Sequence, residues 1–109
     1  MKLIIAIVHD EDSLNLVDTL NEQGYRVTKL ATTGGFLKSG NTTLIIGVDD
    51  EKVNPVLKII EDECKTREQV ILSTTPASIE TGGFIPFPVE VEVGGAVVFV
   101  LDVDKFVKI

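Results

Sequence analysis

Apolar and polar positions along the chain fall into short blocks with two different periods. Leu3 to Val8 is an unbroken apolar run behind Lys2, the pattern of a central strand covered on both faces. After the cluster His9-Asp10-Glu11-Asp12, the residues Leu14, Val17 and Leu20, with Leu16, mark one face of a helix over about 12–23. One of the aspartates is placed to cap that helix, and the negative charges suit its N-terminal dipole. Gly24 stands where a left-handed cap ends it.

Residues 25–33, rich in Val, Thr and Tyr, predict a second strand. Gly34-Gly35 breaks it, 36–40 reads as a loop, and Asn41–Val48 reads as the third strand. Asp49-Asp50 opens a second helix whose buried face is Val53, Val56, Leu57, Ile60 and Cys64. Pro55 leaves its start open. Either the helix begins early with Pro55 at the edge of its first turn, or Asn54 is the cap and Pro55 the first helical residue.

Val70-Ile71-Leu72 predicts a short strand, and 73–83 is the most loop-like stretch of the chain. Pro86 and Pro88 hold 84–88 extended. Residues 89–93 alternate Val and Glu, Gly94-Gly95 turns the chain, and 96–103 is apolar on both faces. The last two strands therefore read as a hairpin-like pair, followed by a short tail over 104–109.

This order predicts an α+β protein, a ferredoxin-like βαββαβ antiparallel sheet with two helices on one face. At 109 residues it reads as a single domain, 1–109. The sheet's second face would be open, and its strands are apolar on both sides. That predicts burial between subunits.

Composition then changes the picture in one place. The chain has 17 acids and 10 bases, yet 26–47 (RVTKLATTGGFLKSGNTTLIIG) contains no acid. Arg26, Lys29 and Lys38 lie inside it, and the other seven bases face all 17 acids. A local reversal of sign beside a double glycine and several hydroxyls predicts a site for a small anion, although an ordinary hairpin can lack acids by chance. The net charge of −7 argues against DNA or RNA as partner. Apolar runs of strand length predict no membrane span, and one cysteine with no secretory leader predicts a cytoplasmic protein. His9 is the only histidine, so a metal site is weakly supported. It also leaves no nucleophile–base pair to assemble, so no enzyme and no cofactor are expected.

Residues 29–47, with Gly34-Gly35-Phe36-Leu37, Gly40-Asn41-Thr42-Thr43 and Gly47, together with 86–96 (PFPVEVEVGGA), resemble the PII-like receptors for cyclic di-AMP of Gram-positive bacteria. The resemblance covers almost the whole chain. It implies a non-catalytic, PII-like homotrimer that takes one cyclic di-AMP in each of three clefts between subunits. Two loops beside each cleft would pass the signal to a downstream protein that the sequence does not name.

Several residues then acquire roles. Gly34 and Gly35 allow close backbone approach, with N–H groups available to an anion; the resemblance points to Gly35. Phe36 is either a loop anchor or a ring that stacks on a base; the resemblance implies stacking, with Leu37 as apolar wall. Arg26 and Thr28 share a face two residues apart; Arg26 is either a solvated strand charge or a fork for phosphate or plate on a purine, Thr28 offers a hydroxyl to phosphate, and the resemblance assigns both to the ligand. Asn41 is either a turn residue or the reader of an adenine edge. Gly47, on the same face of the strand, would let adenine meet bare backbone. Phe99 and Lys108 enter only through the resemblance, from a neighbouring subunit, and Phe99 also suits the core. Lys29 and Lys38 would supply field rather than contact. Two other readings remain: a PII-type ATP or ADP sensor, and a ferredoxin-like trimeric interaction or metal-tolerance protein.

Overall fold

A computed structural model describes the backbone of residues 1–32, 40–73 and 87–109; the side chains of 31–32, 68–73 and 87–93 lie outside that description. The elements in chain order are β1 (Lys2–His9), α1 (Asp10–Glu22), β2 (Thr28–Thr32), β3 (Asn41–Val48), α2 (Val53–Cys64), β4 (Arg67–Ser73), β5 (Phe87–Val93) and β6 (Ala96–Asp102). A short 3₁₀ turn, Asp50–Lys52, leads into α2. The result is an α+β protein with a four-stranded sheet ordered β2-β3-β1-β6 and a separate two-stranded ribbon, β4-β5. Every pairing in both is antiparallel.

The predicted pairing of the last two strands does not form. β6 joins the sheet beside β1, with Ile5 opposite Phe99, while β5 pairs with β4. Composition explains the exchange. β6 (AVVFVLD) has apolar residues for both faces of a sheet, whereas β4 (REQVILS) and β5 (FPVEVEV) carry charges suited to a ribbon standing in water. Pro88, which cannot donate to a central ladder, falls in a ribbon where each strand is an edge.

Helix α1 starts two residues earlier than the periodicity predicts, and its aspartates lie in its first turn rather than capping it. Leu16 and Leu20 are buried, but Leu14 is 66% exposed, so the apolar face is rotated from the expected one. The C-terminal end follows expectation. Gly24 has φ +88°, its N–H donates to the Asn21 carbonyl at 3.0 Å, and the Tyr25 N–H donates to the Leu20 carbonyl at 3.0 Å. These two bonds cap the final carbonyls through a left-handed residue. Helix α2 begins at Val53, so Pro55 lies within its first turn, where its missing N–H has no partner to lose.

Both helices cover one face of the sheet. Ile4, Ala6 and Val8 of β1 and Leu44, Ile46 and Val48 of β3 pack with Leu16, Leu20, Val56, Ile60 and Cys64 into a single core. Tyr25, Val27 and Val98 close its margin. The alternate residues, Leu3, Ile5, Ile7, Thr43, Ile45, Phe99 and Leu101, face the other way, and no element of the described residues covers them.

Candidate functional site

The open face owes its register to the first turn of α1. The Asp10 N–H donates to the Gly40 carbonyl at 3.0 Å, and the Thr42 hydroxyl donates to Asp10 Oδ1 at 2.6 Å. A Cβ on Gly40 would collide with that carboxylate, so a side chain there would have to displace Asp10 from Thr42. Asp12, buried, accepts from Arg67 Nη2 at 2.9 Å and ties the same turn to the base of the ribbon. Gly94 and Gly95, both at positive φ, lead out of the ribbon; a Cβ on Gly94 would lie 2.7 Å from the Lys65 carbonyl. The acidic cluster therefore fixes two neighbouring segments, a use that local capping patterns do not reveal. Cys64 sits beneath this junction. Burial, reinforced by Asp12 and Glu63, pushes its thiol from 9.0 to about 12 and keeps it protonated.

At the other end of the sheet lies a cavity of about 500 Å³, within the range of small-molecule sites. Its floor is Leu3, Ile45 and Val103, with Met1 at one side. Arg26, just before β2, Thr28 of β2 and Gly47 of β3 line it, and Phe106 and Lys108 reach it from the C-terminal tail. Among the described residues, the charged side chains on its wall are two cations, Arg26 and Lys108, in a chain of net charge −7. Among the described residues neither has an acidic partner. Other cations do: Lys2 is paired with Asp102, Lys58 with Asp62 at 3.1 Å, and Arg67 with Asp12. A second depression of about 400 Å³ shares Met1, Arg26 and Gly47 with the first, so Arg26 stands on the wall between them. A third, about 260 Å³ between α2 and β6, presents Glu61 and Lys65 together and has no net preference for an anion.

Gly47 has neither reason that the fold gives the other described glycines. Its φ is not positive, and the nearest atom to a Cβ placed there is Met1 Cε at 3.4 Å, an ordinary contact. The protein itself has room for a side chain at this position. The glycine instead leaves bare strand backbone on the cavity wall.

Four of the predicted site residues, Arg26, Thr28, Gly47 and Lys108, thus meet in one cavity. Asn41 and Phe99 share the open face but lie outside it. Asn41 pairs with His9 and Thr32 at the opposite end of β3, about 20 Å from Gly47 at the usual rise per residue, and is 7% exposed. Phe99 is 45% exposed. Gly35, Phe36 and Leu37 fall outside the described residues. Lys29 is exposed on the strand position opposite Leu44, away from the cavity, in keeping with a role at a distance. Phe106 is a cavity residue that sequence reasoning missed. Its two-residue spacing from Lys108 was the available signal.

The fold and site together give a small α+β protein with a cleft on the bare face of its sheet that carries Arg26 and Lys108. Comparison with known families makes this specific: a family model described as cyclic-di-AMP receptor matches residues 1–109. The chain belongs to the cyclic-di-AMP receptor family. It is also similar to a crystal structure described as "a functionally unknown protein from Pediococcus pentosaceus ATCC 25745", with 47% identity, 99% of this chain and 96% of that chain covered, and a TM-score of 0.79. No helix of the described residues is long and apolar enough to cross a membrane, and no group of three or more metal-binding side chains occurs among them.

Proposed function

We propose that the chain is a cytoplasmic PII-like receptor that binds cyclic di-AMP without catalysing its turnover. In this reading it is a homotrimer of ferredoxin-like subunits, with ligand in the clefts between them and a flexible loop presenting the signal to a downstream protein. The observation that carries the reading is the convergence of Arg26 and Lys108, with Thr28 and bare Gly47, on one cavity with an apolar floor.

Each group has a role suited to this ligand. The Arg26 fork and the Lys108 ammonium neutralise the two phosphates, and the Thr28 hydroxyl donates to a phosphate oxygen. Purine lies against the exposed backbone of Gly47. Gly35, Phe36 and Leu37 supply close backbone approach, a stacking ring and an apolar wall. Asn41 reads an adenine edge, and Phe99 adds apolar surface.

The same layout supports assembly. A ligand touching both Asn41 and Gly47 of one chain would have to run the length of β3, whereas contacts from two copies need no such span. The open face offers the apolar surface for those copies: Leu30, Phe99 and Leu101 are each exposed by at least 40%. The strand order β2-β3-β1-β6, with β6 in the place of the fourth strand, supports the ferredoxin-like assignment.

Titration calorimetry with cyclic di-AMP, ATP and ADP, alongside light scattering for mass, tests the reading. Saturable binding of cyclic di-AMP at micromolar or lower concentration, by a protein of three times the chain mass, is expected. Heat only with ATP or ADP, or no heat with any of the three, would reject it.

A further inference from the structure

We infer that Phe106 is a ligand-contacting residue, an aromatic wall against which one purine of the bound dinucleotide rests; this builds on the receptor reading above. After β6 the chain has no regular structure, but its start is pinned where the Val103 N–H donates to the Met1 carbonyl at 3.1 Å. The tail therefore runs beside the first residues of β1, at the cavity end of the open face. Phe106 and Lys108 line the cavity, and Val107 between them does not. This alternation brings a ring and a cation to the same space.

Phe106 is 65% exposed and joins no part of the core, so it does not serve packing within this chain. Its companions in the cavity include Arg26, Thr28, Lys108 and the apolar residues Leu3 and Ile45. A ring beside cations is the arrangement that holds a nucleotide by stacking its base while its phosphate is neutralised. The ring comes from the tail, so the short segment that follows β6 supplies both a base contact and a phosphate contact.

The test uses the full chain, which contains no tryptophan. Phe106→Trp introduces a single reporter. Its emission should be quenched on titration with cyclic di-AMP, and its affinity should stay within about threefold of the unsubstituted chain. Phe106→Leu keeps apolar bulk but removes the π-face, and should weaken binding about tenfold, the low-to-middle range for loss of one stacked base. Mass in light scattering should be unchanged in both. A Phe106→Leu protein that binds as tightly as the original would overturn the inference. So would a lost assembly in that variant, or a Phe106→Trp protein that binds without any change in emission. If the unsubstituted chain itself fails to bind, the receptor reading falls and this inference with it, a result distinct from all of these.

Discussion

The two faces of the four-stranded sheet are made of alternate residues of the same strands, and they are used differently. On the helix side, Ile4, Ala6, Val8, Leu44 and Ile46 are wholly withdrawn from water. On the other side, Leu3, Ile5, Ile7 and Ile45 are half-buried, and the nearby cavity carries Arg26, Thr28 and Lys108. The helix side is closed by the chain's own elements. The open side keeps an apolar floor and two cations without acidic partners among the described residues. One face therefore holds the fold together, and the other stays open within the chain. A strand can do both because its side-chain period is two.

This contrast can be broken by substituting across one strand. Leu44→Ala, on the helix side of β3, should cost about 3 kcal/mol of stability and lower Tm by more than about 10 °C in a thermal melt. Ligand affinity per folded molecule should change little. Arg26→Ala, on the cavity, should do the reverse. Cyclic di-AMP affinity should fall roughly 30-fold in calorimetry, the value of a charge-assisted contact, while Tm moves by only a few degrees. An Arg26→Ala protein whose Tm falls as far as that of Leu44→Ala while its affinity holds would merge the two faces and defeat the comparison.

Gly47→Ala gives the smallest and sharpest contrast. A methyl group fits there, and replacing a strand glycine limits the unfolded chain, so stability should hold or rise by about 0.5 kcal/mol. Binding should weaken by about tenfold, because the methyl group occupies space beside the purine. Loss of stability with unchanged binding would mean that Gly47 serves the fold after all. Gly40 is the control: its Cβ would collide with Asp10, so Gly40→Ala should destabilise.

Much of the fold was legible because its signals are local. The apolar run of β1, the limits of β3 and the left-handed Gly24 each follow from residues within one element. The pairing of β6 with β1 was not legible, since the Gly94-Gly95 turn looks the same whether it closes a hairpin or carries the chain from ribbon to sheet. The rotation of α1 was missed for a related reason. Leu14 fits the helical period as well as Leu16 does, and only packing against β3 and α2 decides between them.

For the site, Arg26, Thr28 and Gly47 lie within the acid-free segment, and the resemblance named each of them. Lys108 lies outside that segment, and its place in the cavity depends on the tail crossing the end of β1, a contact between residues about a hundred positions apart. Phe106 was hidden for the same reason. The roles of Asp10 and Asp12 were hidden too, because an aspartate before a helix reads as a cap whether or not a distant Thr42 or Arg67 claims its carboxylate.

The most direct test of the separation between the faces is backbone amide chemical-shift mapping by NMR, with cyclic di-AMP added to the unsubstituted protein. The largest shifts should fall on Arg26, Thr28, Gly47, Phe106 and Lys108, with little change at Leu16, Val56 and Ile60. Shifts centred on the helices, or no shifts at saturating ligand, would contradict the account.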